Sequence, residues 1–504
     1  MRIKSFLLLS FFLLFSQSAC GVSDVFVGIF QTREVPTQEP YKPDYEIYRQ
    51  NLVETYQSDV SMLEGVTIYQ IRIDLDPRSG AVIGSQTVYF TNREDAALDE
   101  LIFRLFPNVG GGFLQASSVL LNGQPAETRL DFENTALAVD IPGGLSPGEA
   151  LRIDMDFSQD VPETMGGNYG LYVYTDGIMA LDNFFPIIPV YNDEGWNVEN
   201  PPRNADMVFT DASFFDISVS APEDWVLVSS GVEVERSVSE GRAEARYVGG
   251  PQRDFYIAAS PRFVSESKQV GGTLVRSFFP PEFKDDGLLV LDAAAEALAI
   301  FSERYGGYPY TELDLVSTPM LAGGMEYSGA AAMSLDLYEA ETLTSGIGAR
   351  TFLELATAHE VAHQWFFNMV MNDQIDEPWL DEGFAQYLTY IYYLERYGPS
   401  AAESYIEADW EKRWDRLDRA EIPIGKAASE YTREQYGPII YARAPIFISR
   451  LEETMGSDIF SQFLEKYIET YRWQTVDTKK FKTMAEDACS CDLDPLFKEW
   501  VYVN

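Results

Sequence analysis

His359 and His363 are the only histidines in a chain of 504 residues, and they stand four apart in the run His359-Glu360-Val361-Ala362-His363. On a helix that spacing puts both imidazoles on one face, one turn apart, where they can hold a single metal ion. Glu360 lies between them, placed to take a proton from a water that such an ion activates. Imidazole nitrogens, a carboxylate base and an open coordination position are what a zinc hydrolase requires. So short a pattern also arises by chance, but here no other histidine is left for a metal.

Two imidazoles do not complete a catalytic site, so a third ligand is needed. The run Trp379-Leu380-Asp381-Glu382-Gly383-Phe384-Ala385 follows, with Glu382 the nineteenth residue after His363. Glu382 opens a second helical stretch, through Tyr387 and Tyr390 to Leu394, which Gly398-Pro399 stops. Two antiparallel helices would bring this carboxylate onto the histidine pair. The plainer reading is a first-turn glutamate favoured by the helix dipole. The distance from the histidines favours the ligand.

Two further segments carry a resemblance. Gly323-Gly324-Met325-Glu326-Tyr327-Ser328-Gly329 resembles the Gly-x-Met-Glu exopeptidase motif of the aminopeptidase N and leukotriene hydrolase family, and Tyr436-Gly437-Pro438-Ile439-Ile440-Tyr441-Ala442-Arg443 resembles that family's segment with a catalytic tyrosine. The His-Glu-x-x-His run, eighteen intervening residues and Trp-Leu-x-Glu-Gly-Phe-Ala complete the match. The resemblance implies one zinc ion per chain on His359, His363 and Glu382, with Glu360 as general base. It implies peptide substrates with a free N-terminus, whose α-amino group binds Glu326. Gly323, Gly324 and Met325 would complete that substrate segment, the glycines letting a peptide backbone come close. Tyr441 would stabilise the oxyanion, with Tyr436 nearby, although with 29 tyrosines in the chain any one ring is by default a packing group. The segment Asp182-Asn183-Phe184-Phe185-Pro186 falls where members of the family send a loop to the site, so Asn183 or Asp182 would touch the amine. A simple polar turn there is an equal expectation.

The chain departs from the family at three places. Tyr327 stands where animal members commonly have Asn, and Asp381 where Asn usually precedes the third ligand, adding negative charge beside Glu382. Asn504 follows soon after Trp500-Val501-Tyr502, where members usually continue into a helical domain, so contacts from such a domain are expected to be missing or replaced.

The remaining signals concern address and organisation. Arg2 and Lys4 precede an apolar run from Phe6 to Phe15 and then small residues, the pattern of a secretory signal. Ser18-Ala19-Cys20 resembles a lipoprotein cleavage site with an atypical Gln17, so the expectation is an exported, extracytoplasmic protein anchored to the bacterial membrane through Cys20. Ordinary signal cleavage is the competing reading. The formal charge of −42 becomes −44 once Arg2 and Lys4 are removed, and that acidity argues against nucleic-acid binding. Cys489 and Cys491 form no disulfide framework, and a bond between them would close a small strained ring, so free or loosely paired thiols compete with it.

With 46% apolar residues the chain can bury sizeable cores. Residues 1–20 are assigned to the signal and 21–60 to a proline-bearing tether and lead-in, with a short helix around Tyr48 to Tyr56. Alternating runs such as Ile71, Ile73 and Leu75, punctuated by Gly143-Gly144 and Pro147-Gly148, predict a large antiparallel β domain, saddle- or sandwich-like, over 61–268. Residues 269–504 are expected to form a mainly helical, thermolysin-like zinc-peptidase domain, giving a multidomain α+β protein. Within it, Leu288 to Tyr305 reads as a helix and Leu313 to Met320 as an edge strand open to a peptide. The stretch Ala401 to Ala420 mixes charges and aromatics and reads as a solvated helix. The function these expectations favour is a zinc aminopeptidase. Its rivals are a zinc endopeptidase in which Glu326 is structural, and an inactive lipid-anchored binding protein, disfavoured because both histidines, Glu360 and Glu382 are all present. Nothing in the sequence asks for epoxide hydrolysis.

Overall fold

The computed structural model describes residues 44–502, apart from 167–168, 203–204, 207, 340–342 and 345–346. The signal segment, the first part of the tether and Cys20 lie outside the described residues. From Asp44 onward the lead-in is packed rather than loose: Tyr48 stacks on Phe214 with centroids 4.6 Å apart, and Asp59 is paired with Arg472 and accepts from Trp473 Nε1 at 2.9 Å. Its helical character consists of the 3-10 turns Tyr45–Asn51 and Glu54–Tyr56 and the short helix Asp59–Met62.

The β-rich region contains an eight-stranded sheet ordered Val232–Ser239, Arg242–Gln252, Ser213–Pro222, Ile68–Asp76, Ala81–Thr91, Ala150–Asp160, Phe113–Leu121 and Gln124–Pro125. The expected alternation holds in Ile68–Asp76, where Ile71, Ile73 and Leu75 are buried and Arg72 and Asp74 face water. One pair breaks the antiparallel expectation, because Ile68–Asp76 runs parallel to Ser213–Pro222. That pairing joins strands far apart in sequence, which no hairpin signal announces. The region also contains a four-stranded sheet (Val226–Ser229, Tyr256–Ser260, Ile178–Asp182, Tyr172–Thr175), a three-stranded one (Leu98–Arg104, Ala136–Leu145, Thr128–Asp131) and the short pair Tyr191–Asn192 and Gly195–Trp196.

A five-stranded mixed sheet opens the helical region, in the order Val264–Val270, Thr273–Phe279, Glu312–Thr318, Ala330–Ser334, Gly324–Tyr327. Strand pairing therefore starts this region at Val264, inside the segment expected to close the β domain. Glu312–Thr318 is central, paired in parallel with a strand on each side, so the expectation of an edge over Leu313 to Met320 is corrected. Nearly every residue of that strand is buried, as strands covered on both faces are. Gly324–Tyr327, the motif segment itself, is one edge of the sheet, and Val264–Val270 is the other.

Helix Lys284–Tyr305 packs on this sheet and on helix Ala349–Ala362, which carries His359 and Glu360 and delivers His363 at its C-cap. Helix Glu382–Tyr397 packs on both. Gly398, at φ +82°, ends it in a conformation that side chains with a Cβ avoid. Beyond it, Pro399–Tyr405, the π-helical Ile406–Glu411 and Lys412–Asp415 follow in succession, with Tyr405, Asp409 and Trp410 buried. The solvated-helix expectation is corrected there, because the inward face packs and takes Asp409 with it, while Glu403, Glu407 and Lys412 stay exposed. Cys489 and Cys491 are disulfide-bonded. Among the described residues no helix is long and apolar enough to cross a membrane.

Candidate metal centre and active site

The histidine helix is held by its apolar side, where Leu353, Ala358, Val361 and Ala362 are buried. Phe366 stacks on Phe384 of the next helix with centroids 4.4 Å apart. Trp379, just before Glu382, sits among Phe384, Phe447, Phe481 and Phe497 and donates its indole N–H to Thr478 Oγ1 at 3.0 Å. Gly383 allows the close approach, since a Cβ there would meet the Ala444 Cβ at 3.0 Å. Asp381 caps the helix, its Oδ1 accepting from the Glu382 N–H at 2.7 Å. The charge that departs from the family pattern thus works as a cap.

This packing converges three donor atoms. His359 Nε2 lies 3.2 Å from His363 Nε2 and 3.0 Å from Glu382 Oε2, with His363 Nε2 3.6 Å from the same oxygen. Tetrahedral zinc with ligands at about 2.0–2.1 Å needs donor separations of roughly 3.3 Å. His363 Nδ1 faces the Phe366 carbonyl oxygen at 3.1 Å, and as the donor there it leaves Nε2 as the ligating atom. The residues fit one zinc ion.

The electrostatics point the same way. Burial would raise the Glu382 carboxyl, but the two imidazoles override it and hold it well below its ordinary range. Burial, then the neighbouring Asp206 charge, raises Glu326 well above the usual carboxylate range. Glu360 is pushed up to about 8, by burial first. Burial, then the Glu382 charge, pushes Asp381 to about 7. So many crowded acids make a place for a divalent cation.

A cavity of about 580 Å³ opens onto this centre, lined among others by Glu326, Glu360, His359, Glu382 and Tyr441. Its size is that of a small-ligand site. Gly323, Gly324 and Met325 line it too, at the sheet edge. Gly324 has a further job beside the one expected. A Cβ there would lie 2.3 Å from Glu360 Oε1, so its bareness also makes room for the base. Glu326 accepts from Gln374 Nε2 at 3.3 Å. Gln364 ties the edge strand to the histidines, donating to the Tyr327 carbonyl at 2.8 Å and accepting from the Gly329 N–H at 3.0 Å. Tyr327 stacks on Tyr256 with centroids 4.1 Å apart. Tyr441, on the π-helical turn Ile439–Arg443, donates its hydroxyl to Glu382 Oε1, and Tyr436 packs behind it, centroids 6.1 Å apart.

Asn183 is not part of this cavity. It is buried with φ +38° and gives its amide to Asp182 Oδ1 at 2.7 Å. The two side chains engage each other and neither lines the cavity, which corrects the expectation of a contact with the substrate amine. The β region instead sends Asn200, Pro201, Ala205 and Asp206 to the cavity. Asp206, Gln364, Gln374, Asp409 and Arg413 escaped the sequence reading. Only Asp409 and Arg413 left a trace there, as an i, i+4 charge pair.

Comparison with known proteins agrees with this geometry. Residues 289–500 match the Peptidase family M1 domain. Aminopeptidase 2 of Candida albicans is 23% identical over 378 residues, which are 71% of this chain and 39% of that protein. Endoplasmic reticulum aminopeptidase 2 of Homo sapiens is 23% identical over 371 residues, 70% of this chain and 37% of that protein. The chain thus spans about two fifths of the length of these curated relatives. The M1 zinc metallopeptidase from Deinococcus radiodurans superimposes with a TM-score of 0.63 at 20% identity, covering 87% of this chain and 93% of that one. That likeness shows a shared fold. The helical region that carries the metal centre is thus similar, over residues 289–500, to the Peptidase family M1 domain.

Proposed function

We propose that the protein is a zinc aminopeptidase, removing N-terminal residues from peptides. The observation that carries this reading is a single cavity holding both a complete His-His-Glu donor set and the Glu326 carboxylate on a terminal strand of its sheet. When bound, zinc supplies Lewis acidity, polarising the scissile carbonyl and lowering the pKa of a water. Glu360 Oε1 takes the proton of the attacking water and later returns it to the leaving amine. Tyr441 turns its hydroxyl from Glu382 Oε1 to the scissile carbonyl oxygen as charge grows there. The edge strand Gly324–Tyr327 pairs with the substrate backbone, and Glu326 takes the terminal ammonium, which sets the register at one residue from the end. The M1 zinc metallopeptidase variant solved with a Tyr-Ser-Ala substrate, on the same fold, supports a peptide in this place.

Metal analysis and turnover of aminoacyl anilides test the assignment. One zinc per chain is expected, with activity lost to a chelator and restored by zinc. Glu382→Ala is expected to lose metal, whereas Glu360→Gln keeps it while turnover falls roughly 10²- to 10⁴-fold. Full activity in metal-free protein sinks the mechanism. Export and acylation at Cys20 belong to the same proposal, supported by Arg2, Lys4 and the apolar run after them. Mass analysis of the mature N-terminus decides it, and an unmodified terminus beyond Cys20 contradicts the anchor.

A further inference from the structure

The cavity has a second charged end that the hydrolysis proposed above leaves unused. Arg413 is the only lysine or arginine among the described residues that line it, facing Asp206, Glu326, Glu360, Glu382 and Asp409. The helical stretch that carries it bears a π-helical turn, Ile406–Glu411, which packs against the other π-helical turn, Ile439–Arg443, that carries Tyr441. Such turns are rare and recur at functional sites, because the extra residue re-aims a side chain. Here Asp409 and Tyr441, one from each turn, bracket the guanidinium. Arg413 pairs through Nη2 with Asp409, and its guanidinium lies 5.8 Å from the centre of the Tyr441 ring.

That arrangement leaves donors over. A guanidinium has five N–H groups in a rigid fork, and Asp409 engages one nitrogen. No other protein acceptor meets Arg413 among the described residues. Its side chain keeps 19% of its surface open, against 7% for Asp409. The group is therefore oriented from below by Asp409 and Tyr441, with its free edge toward the cavity.

Its position relative to Glu326 gives the direction. A Glu326 carboxylate oxygen lies within 4.8 Å of a His363 ring nitrogen. The Tyr441 ring, which the Arg413 guanidinium overlies, is centred 6.0 Å from the His359 ring. Glu326 thus sits toward the His363 side of the metal set and Arg413 toward the His359 side, next to Tyr441. A peptide whose ammonium is held at Glu326 and whose scissile carbonyl faces Tyr441 runs its leaving part toward Arg413.

We infer that Arg413 is a specificity-determining residue that binds a carboxylate on the leaving side of the scissile bond. The inference rests on the aminopeptidase reading and adds a preferred substrate class to it. That carboxylate is either the free C-terminus of a short peptide or the side chain of an acidic residue after the one removed. A planar carboxylate matches the fork, and the low-dielectric cavity strengthens the pair relative to water. Neutral leaving parts gain nothing there.

Steady-state kcat/KM of the zinc-loaded protein on three peptides tests this: Ala-Ala-Ala as free acid, the same peptide as its amide, and Ala-Glu-Ala as its amide. The unmodified protein is expected to favour at least one carboxylate-bearing peptide over the plain amide by roughly 10- to 100-fold. Preference for the free acid identifies the C-terminus as the group bound, and preference for the glutamate peptide identifies a side chain. Arg413→Gln should bring that ratio near unity, and Arg413→Lys should restore part of it. Asp409→Asn, which weakens the competing acceptor, should raise it. A purely structural role, in which Arg413 only neutralises Asp409 or steadies Tyr441, lowers all three substrates together and leaves the ratio unmoved. Absence of the preference in the unmodified protein, or an unmoved ratio in Arg413→Gln, overturns the inference while the aminopeptidase stands. No turnover of any of the peptides overturns both.

Discussion

The wall of the cavity that carries His359, Glu382 and Tyr441 is made of helices packed on one another, whereas the wall that carries Tyr169, Asn200, Pro201 and Asp206 is made of loops leaving the β sheets. On the helical wall each functional group is placed by a local rule: the one-turn spacing of His359 and His363, a capped first turn for Glu382, a π-helical turn for Tyr441. On the loop wall no such rule operates, and position follows from which strands pair. The difference teaches where rigidity comes from. The metal set is fixed by packing around Trp379 and Phe384, while the loop wall is tied in by single buried polar groups.

Arg253 is the strongest of these ties, so its loss should break the comparison with the largest effect. Fully buried, it donates to the carbonyls of Val208 at 3.3 Å, Phe367 at 3.2 Å and Asn372 at 3.2 Å, with its guanidinium 4.5 Å from the centre of the Phe367 ring. It therefore joins the β region to the turn just beyond His363. Arg253→Met is expected to cost about 3–5 kcal/mol in denaturant unfolding, because three carbonyls lose their donor together. Unchanged stability would mean that the two walls are held together elsewhere.

A smaller effect is expected at the sheet edge. Gly324→Ala forces a Cβ onto Glu360, so turnover should fall roughly 10- to 100-fold with zinc content unchanged. Normal turnover would show that Glu360 works from another position. The smallest effects separate the two β-region candidates. Asp206→Asn should lower kcat/KM for free peptides by about tenfold, through loss of negative charge beside Glu326. Asn183→Ala should leave kcat/KM within about twofold while costing about 1 kcal/mol of stability, since Asn183 serves only Asp182. The reverse ranking would return Asn183 to the site.

The same contrast explains what could be read from the chain before its fold. His359, Glu360, His363, Glu382, Glu326 and Tyr441 were legible because each sits in a short run whose chemistry or family resemblance is local, and all of them meet at one centre. The alternation in Ile68–Asp76 and the Ala- and Leu-rich Lys284–Tyr305 were legible for the same reason of local period. The central place of Glu312–Thr318 was not, because an edge strand and a buried parallel strand differ only in their partners. Asn183 misled because its loop lies near the expected place in sequence, while the buried side chain bonds Asp182 and stays out of the cavity lining. Arg413 and Asp409 looked like solvated charges until the helical stretch after Gly398 was seen to close the cavity.

The central claim is that one carboxylate, Glu326, makes a zinc hydrolase read the amino end of its substrate. The most direct measurement is the ratio of kcat/KM for a free peptide and its N-acetylated form, on zinc-loaded protein, with and without Glu326→Ala. An ammonium paired with a buried carboxylate should favour the free peptide by roughly 100-fold or more, and Glu326→Ala should collapse that ratio with zinc still bound. Equal cleavage of both forms at internal bonds by the unmodified protein would contradict the account and make the protein an endopeptidase.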